Sequence, residues 1–199
     1  MMTSTLHSVF LVRHGEAEPW PLPAYATPPG PPLTERGRGD AEAAGAWLAG
    51  ALGESPVRLV HSPMLRTLQT AETIASHLAS ASLELDPRVM EIGVKESGED
   101  AQARMVDFYR DATFDMDRPV VLAGHRAPLE ALLCHVTGVT MPSRPARGSL
   151  SPDCCFFMIP ATIYRIDVGT GAVVLVHGGT ELWDPVALKC VPREVTGRE

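Results

Sequence analysis

The chain has 199 residues, of which 45% are hydrophobic and 21% are charged. This length is that of a single domain, and the composition excludes a disordered protein. The net charge of −7 excludes a general attraction to nucleic acid or to an anionic membrane, so a bound anion needs a local group of cationic side chains. No apolar run approaches the ~20 residues of a transmembrane helix. We therefore expect one domain over residues 1–199, without a nucleic-acid or membrane partner.

Two further features point to a cytoplasmic protein. The N-terminal segment lacks the basic start and long apolar stretch of a signal peptide. The cysteines show no C-x-x-C spacing, which indicates neither a zinc ribbon nor a disulfide framework. We expect reduced thiols at Cys134, Cys154, Cys155 and Cys190.

Short β-branched runs alternate with helical patterns along the first part of the chain, which predicts an α/β fold. Strands are predicted at 8–12 and 57–60. Between them lie a proline-rich loop at 18–32 and a helix over 35–52, for which Thr34 is the predicted N-cap.

The next elements follow the same alternation. Ser62 and Pro63 are predicted to be the N-cap and the first position of a helix. A short strand is predicted at 83–85, followed by a helix over 99–112. The predicted inward-facing residues of the two helices are Leu65, Leu68, Ile74, Ala75 and Leu78 for the first, and Met105, Phe108 and Tyr109 for the second.

The last third of the chain is predicted to be richer in strands. A strand at 119–123 precedes a helix over 129–136, which Gly138 is placed to end. Three strands are then predicted at 156–159, 164–168 and 172–176, the last two joined by a hairpin turn at 169–171. The tail over 193–199 is expected to be frayed.

Three of the predicted strands end in clusters of histidine and arginine. Arg13, His14 and Glu16 follow the first strand, His61 and Ser62 the second, and His125 and Arg126 the fourth, while Arg66 lies one turn into the helix after Ser62. Ligands of open α/β sheets bind at the carboxyl ends of parallel strands, so we expect these clusters to meet in one crevice.

This crevice would suit a phosphate group. The guanidinium of arginine matches phosphate oxygens bidentately and remains charged. A histidine beside arginines is kept neutral and can act as a nucleophile. A metal site built on His14, His61, His125 and Glu16 is the competing interpretation, but the neighbouring arginines would repel a divalent cation. We therefore expect no metal and no cofactor.

Five segments resemble the histidine phosphatase superfamily, which includes the cofactor-dependent phosphoglycerate mutases. The first, at 11–16, resembles the Arg-His-Gly signature of the family, and the others follow in the family's order over roughly residues 8–137. They are PLTERG at 32–37, SPMLRTLQTA at 62–71, DPRVME at 86–91 and VLAGH at 121–125.

The resemblance implies a three-layer α/β/α sandwich with a mostly parallel central sheet, and a two-step mechanism. His14 would attack phosphorus and form a phosphohistidine, while Arg13, Arg66 and His125 would bind the phosphoryl oxygens. Glu91 would protonate the leaving oxygen and then activate water. Glu96 and Glu99, on the same stretch of chain, are the rival candidates for this acid.

Some positions depart from the family pattern. Ala17 stands where many members have Ser or Thr, and Trp20 stands where the mutases have Asn. The stretch at 125–128 looks more like that of the bacterial phosphohistidine phosphatases, and Arg126 could line the pocket rim or face solvent. The histidine of His177-Gly178-Gly179 lies too late in the chain for the second catalytic histidine and is interpreted as a strand end.

The loop at 18–32 is expected to roof the pocket. Glu16, Trp20 and Tyr25 are further candidates for contacts with the organic part of a substrate. Packing within the loop is the alternative for Trp20 and Tyr25.

The sequence thus predicts a metal-independent phosphatase that hydrolyses a small phosphorylated molecule. A phosphoglycerate mutase-type phosphotransferase or a protein phosphohistidine phosphatase is the alternative within enzymes, and a phospho-ligand binding module is the alternative outside them. Neither the natural substrate nor the oligomeric state follows from the sequence, although homodimers are common in the superfamily.

Overall fold

One six-stranded sheet is the centre of the fold. The computed structural model describes residues 7–114, 116–139, 156 and 158–178. Within these residues the strands are β1 (Ser8–Arg13), β2 (Val57–His61), β3 (Ala81–Leu85), β4 (Val120–Gly124), β5 (Ile163–Asp167) and β6 (Val173–His177). The helices are α1 (Glu35–Leu52), α2 (Leu65–His77), α3 (Gly98–Thr113) and α4 (Arg126–Thr137), with short 3₁₀ helices at Ala24–Ala26 and Pro87–Val89.

The strand order is β3-β2-β4-β1-β5-β6. The first four strands along the chain run parallel to one another, while β5 is antiparallel to both of its neighbours, β1 and β6. Arg13 is in register with Gly124, and His61 with Ala123. The residues that follow β1, β2 and β4 therefore leave the sheet at the same edge.

The sheet separates two apolar cores. Phe10 and Val12 of β1 face the core formed with α1 and α2, whereas Val9 and Leu11 face the core formed with α3 and α4. This alternation follows from the two-residue period of a strand that is buried on both faces. The expected three-layer α/β/α fold is confirmed. None of the helices in the described part of the chain has the length and apolar character to cross a membrane.

Most predicted elements are found within a few residues of their predicted bounds. The Thr34 hydroxyl caps α1 by accepting a hydrogen bond from the Gly37 amide. Gly138 ends α4 in the left-handed conformation, with φ 69°. The hairpin between β5 and β6 is present, with Gly171 at φ 69°, and β6 ends at His177 as expected.

The predicted start of α2 is wrong. The helix begins at Leu65 with Met64 as its N-cap residue, not at Ser62 and Pro63. The Leu65 amide donates to the Pro29 carbonyl instead of to a capping side chain, at 2.6 Å. The Ser62 hydroxyl is hydrogen-bonded to His125 instead.

The buried residues of α2 also differ from those predicted, because its first turns contact polar groups. Leu65 and Leu68 are only half-buried, and the fully buried positions of the helix are instead Arg66, Thr67, Thr70, Ala71 and Ile74. The first turns of α2 face polar groups at the ends of the strands, so buried polar side chains replace the leucines there.

Two other predictions differ from the structure or lie outside it. The helix expected over 129–136 begins three residues earlier, at Arg126. Met158 and Ile159 do not form a strand. Met158 is buried against the α3–α4 core, and its carbonyl accepts a hydrogen bond from Arg13 in place of a strand partner. Phe157, the tail at 193–199, Cys154, Cys155 and Cys190 lie outside the described residues.

Two glycines allow the segment after β1 to pass directly against the start of α1. A Cβ atom on Gly15 would lie 2.1 Å from the Gly37 carbonyl oxygen, and one on Gly37 would lie 1.9 Å from the Glu16 carbonyl oxygen. Real Cβ contacts are never this short, and all the atoms involved belong to the backbone. The Gly15–Gly37 contact therefore sets how closely α1 packs on the segment that contains His14.

We predict that Gly37→Ala destabilises the protein, whereas Gly39→Ala in the same helix does not. Gly37→Ala forces the backbone of residues 15–16 away from α1, at a cost of about 1–3 kcal/mol or more. A Cβ on the exposed Gly39 meets nothing within 4 Å, and alanine should stabilise the helix by about 0.5–1 kcal/mol. Urea denaturation of both variants measures this, and equal unfolding free energies would contradict the role given to the Gly15–Gly37 contact.

Candidate active site

His14 lies immediately after β1 and is 2% exposed. Its Nδ1 atom lies 2.7 Å from the Gly15 carbonyl oxygen. A carbonyl oxygen can only accept a hydrogen bond, so Nδ1 bears the proton of the neutral ring and Nε2 keeps a lone pair. This Nε2 accepts a hydrogen bond from Arg66 Nε at 3.3 Å.

The surroundings keep the His14 ring neutral. Burial lowers the pKa of His14 well below 6.5, and the charges of Arg13 and Arg66 lower it further, although the hydrogen bond with Gly15 opposes them. A neutral ring with an unprotonated Nε2 is the form of histidine that can act as a nucleophile.

Arg66 is fully buried in the first turn of α2, and the loop over 18–32 covers it. Its guanidinium lies 4.5 Å from the centroid of the Tyr25 ring, and its Nη1 donates to the Tyr25 carbonyl at 3.0 Å. A Cβ on Gly30 of the same loop would lie 2.9 Å from Nη1. The loop thus fixes the orientation of Arg66, and Tyr25 contacts the cation itself.

Arg13, at the end of β1, brings a second, partly buried cation to this edge of the sheet. Its Nη1 donates to the Met158 carbonyl at 2.5 Å. Burial lowers the pKa of Arg13, but a guanidinium does not lose its proton in a protein. Two permanent positive charges therefore lie near His14.

His125 follows β4 and is fully buried. Its ring centroid lies 5.3 Å from that of His14. Its Nε2 lies 2.7 Å from the Ser62 hydroxyl, whereas its buried Nδ1 has no hydrogen-bond partner within the described residues. Burial, followed by the effect of His14, lowers the pKa of His125 well below 6.5.

Glu91 faces both this histidine and the buried arginine. Its Oε2 lies 3.7 Å from Arg66 Nη2 and 3.8 Å from His125 Nδ1, while the Ile92 amide donates to Oε1 at 3.0 Å. Burial raises the pKa of Glu91, although the Ile92 amide and the nearby arginines oppose this effect. The raised pKa favours the protonated carboxyl group, which is the form that an acid catalyst needs.

The rival acids lie elsewhere. Glu96 pairs with Arg104 at 2.6 Å and accepts a hydrogen bond from the Gly93 amide at 2.9 Å. These contacts, that with Arg104 above all, lower the pKa of Glu96. Glu99 is exposed in the first turn of α3. Of the three carboxyl groups, only that of Glu91 contacts both Arg66 and His125.

The other candidate contacts are less closely connected to this cluster. Glu16 accepts a hydrogen bond from the Thr34 hydroxyl and lies 3.7 Å from Arg36. Trp20 is 44% exposed, and no hydrogen bond or ring contact among the described residues joins its side chain to the cluster. Arg126 donates to Glu130 at 2.9 Å, but its charge is close enough to lower the pKa of Arg13.

Sequence reasoning missed two parts of the site. The Ser62 hydroxyl contacts both His125 and the Thr67 hydroxyl, at 2.7 Å each; Ser62 was marked by its place at a strand end but was interpreted as a helix cap. Arg104 of α3 contributes a third positive charge, which lowers the pKa values of both Glu91 and His125. A single arginine within a helical pattern gives no signal of this role.

The cluster has the electrostatic character of an anion site. Arg66 Nη2 and His125 Nδ1 are buried nitrogen atoms without a hydrogen-bond partner in the described part of the chain. Leaving such a group unpaired costs about 1–3 kcal/mol. Both atoms lie near Glu91 Oε2 but beyond hydrogen-bond distance, so Arg66 Nη2 could still donate to an oxygen of a bound anion. The described residues contain no cluster of three or more His, Cys, Asp or Glu side chains that could hold a metal ion.

Comparison with protein families gives the same result as the motifs. Residues 9–95 match the model of the histidine phosphatase superfamily (branch 1). This segment, a little under half of the chain, is similar to the histidine phosphatase superfamily. The matched segment contains the two arginines, His14 and Glu91, whereas His125 lies beyond it. No curated protein matches the chain.

Solved structures of low sequence identity share the histidine phosphatase fold. YhfR of Bacillus stearothermophilus is 20% identical, with a TM-score of 0.65 over 87% of this chain and 98% of that one. A mycobacterial glucosyl-3-phosphoglycerate phosphatase is 19% identical, with a TM-score of 0.60 over 80% and 89%. A putative alpha-ribazole-5'-P phosphatase of Escherichia coli is 18% identical, with a TM-score of 0.63 over 87% and 96%.

Proposed function

We propose that this protein is a histidine phosphatase that hydrolyses phosphate monoesters, without a metal ion, through a phosphohistidine formed on His14. The observation that carries the proposal is the unprotonated Nε2 of a buried, neutral His14 beside the fixed guanidinium of Arg66. Two proteins of similar structure, the glucosyl-3-phosphoglycerate phosphatase and the putative alpha-ribazole-5'-P phosphatase, support the same reaction class.

In the first step His14 Nε2 attacks phosphorus. Arg13 and Arg66 bind the phosphoryl oxygens, and their charges stabilise the negative charge of the transition state. The bond from phosphorus to the leaving oxygen breaks as Glu91 donates its proton to that oxygen. The products of this step are the free alcohol, phosphohistidine 14 and the Glu91 carboxylate.

The second step reverses these proton movements. The Glu91 carboxylate takes a proton from water, whose oxygen attacks phosphorus as the bond to Nε2 breaks. Phosphate leaves, and both Glu91 and the neutral His14 ring are restored.

The short connection between Glu91 and His125 favours hydrolysis over mutase chemistry. A mutase must hold a bisphosphate, turn it over and exclude water. The described residues between Glu91 and His125 form α3, β4 and short connections, which leaves no inserted lid there. The loop over 18–32 covers Arg66 from the other side, and it is the only element described here that could replace such a lid.

Phosphorus NMR separates these reactions. With EDTA present throughout, we expect free phosphate from an aryl phosphate and no conversion of 3-phosphoglycerate to its 2-isomer, with or without 2,3-bisphosphoglycerate. Appearance of the 2-isomer without free phosphate would show a mutase. Loss of aryl phosphate hydrolysis in EDTA, with recovery on addition of Zn²⁺ or Mn²⁺, would contradict metal independence.

The role of Glu91 predicts an effect that depends on the leaving group. Glu91→Gln should lower kcat about 10²–10⁴-fold for an alkyl phosphate, which needs a proton on its leaving oxygen, and less for nitrophenyl phosphate. Because Glu91 must be protonated, alkyl phosphate hydrolysis by the wild type should decrease as the pH rises through the raised pKa of Glu91.

Two variants serve as controls. Glu99→Gln changes an exposed carboxylate on α3 and should retain wild-type kcat for both substrates. If Glu96→Gln shows the dependence on leaving group and Glu91→Gln does not, the assignment of the acid is wrong.

A further inference from the structure

Hydrogen bonds around Ser62 determine which nitrogen of His125 carries a proton. The Thr67 hydroxyl lies 2.7 Å from the Met64 carbonyl, and only Thr67 can supply the hydrogen for that contact. Thr67 therefore has no hydrogen left for its 2.7 Å contact with Ser62, so the Ser62 hydroxyl donates to Thr67. The 2.7 Å contact between Ser62 and His125 must then use a hydrogen on His125 Nε2.

The other nitrogen of the neutral His125 ring is consequently an acceptor. Nδ1 is buried, has no hydrogen-bond partner among the described residues and lies 3.8 Å from Glu91 Oε2. A lone pair on Nδ1 repels the oxygens of a phosphate and cannot donate a hydrogen bond to them. Two hydroxyl groups that make no hydrogen bond with the side chains of Arg66 or His14 among the described residues thus determine which nitrogen of His125 can donate to a ligand.

We propose that Ser62 and Thr67 are positioning residues that hold His125 with Nδ1 unprotonated, so that anion binding at this site is coupled to the uptake of one proton by Nδ1. The proton comes from solvent, the lone pair of Nδ1 accepts it, and the resulting N–H donates to an oxygen of the anion. When phosphate leaves, the proton returns to solvent. The inference rests on the proposed function, because the anion is the phosphoryl group of the substrate.

The charged groups around His125 are mostly positive, and positive charges keep the ring neutral until an anion binds. Arg13 of β1, Arg66 of α2 and Arg104 of α3 all disfavour a proton on the ring, as does His14. Glu91 is the one carboxyl group paired with the ring among the described residues. The ring is therefore neutral in the free site, with burial as the largest cause of its lowered pKa. A bound dianion brings two negative charges to this cluster and favours the imidazolium form.

Removing the Thr67 hydroxyl should abolish the coupling between anion binding and proton uptake, while the residues proposed to bind the anion stay in place. In Thr67→Val the Ser62 hydroxyl loses its acceptor and becomes free to donate to His125 Nε2. The neutral ring can then carry its hydrogen on Nδ1 and donate to an anion with no proton uptake. Thr73→Val is the matched control, because the Thr73 hydroxyl lies in the same helix and donates only to its own turn, at the Gln69 carbonyl.

The test is nitrogen-15 NMR of histidine-labelled protein with and without sulfate, a tetrahedral dianion that is fully deprotonated near neutral pH. His125→Gln identifies the His125 signals. We expect Nε2 protonated and Nδ1 unprotonated in the free protein, and both nitrogens protonated with sulfate bound. Wild-type sulfate affinity should fall about tenfold per pH unit near neutral pH, as should that of Thr73→Val, whereas that of Thr67→Val should depend much less on pH.

Each contrary result has a distinct meaning. Sulfate that binds and leaves His125 neutral overturns the coupling and leaves the anion site of the proposed function intact. The same pH dependence in Thr67→Val and Thr73→Val overturns the role of the hydroxyl pair. A site that binds no sulfate at all overturns both the coupling and the anion site.

Discussion

Arg66 is a permanently charged side chain that is completely removed from solvent. Burial of an unpaired charge is costly, so its solvation must be replaced by protein groups. The carbonyl and ring of Tyr25, together with the Nε2 atom of His14, provide part of this replacement, and the Glu91 carboxylate lies beyond hydrogen-bond distance. The remaining nitrogen, Nη2, has no hydrogen-bond partner in the described part of the chain, and we propose that it donates to the oxyanion of a substrate.

The consequences of this buried cation extend over the site. With Arg13 it disfavours a proton on His14, and with Arg104 it disfavours one on His125. Burial disfavours the charged form of Glu91 as well, which raises the pKa of its carboxyl group. The cluster thus places a histidine whose lowered pKa favours the neutral ring near a carboxyl group whose raised pKa favours the protonated form. The described residues contain no set of metal ligands.

The sheet explains why so much of the site could be predicted from the sequence. Parallel register brings the ends of β1, β2 and β4 to one edge, so His14 and His125 could be placed together from their positions after strands. The start of α2 could not be predicted, because Ser62 has the residue type of a helix cap but its hydroxyl contacts a histidine 63 positions away.

Contacts between residues far apart in the chain also determine the roles of Tyr25, Arg104 and the two glycines, which the sequence pattern did not predict. Tyr25 was a candidate for a substrate contact, yet its partner is Arg66, 41 positions later in the chain. Arg104 lies in an ordinary amphipathic helix, and only the packing of α3 brings its charge near Glu91. The glycines of the two family motifs are explained by one contact, since Gly15 and Gly37 meet backbone to backbone.

The central claim is that phosphorus is transferred to His14, and trapping the phosphorylated protein tests it most directly. Glu91→Gln mixed with nitrophenyl phosphate should accumulate the intermediate, because this leaving group needs no acid while the attack of water still needs the base. After a rapid quench in base, mass spectrometry should find one phosphoryl group, on the peptide that contains His14, and acid should remove it. His14→Ala should remain unmodified and inactive. Phosphate on another residue, or undiminished turnover by His14→Ala, would contradict the account.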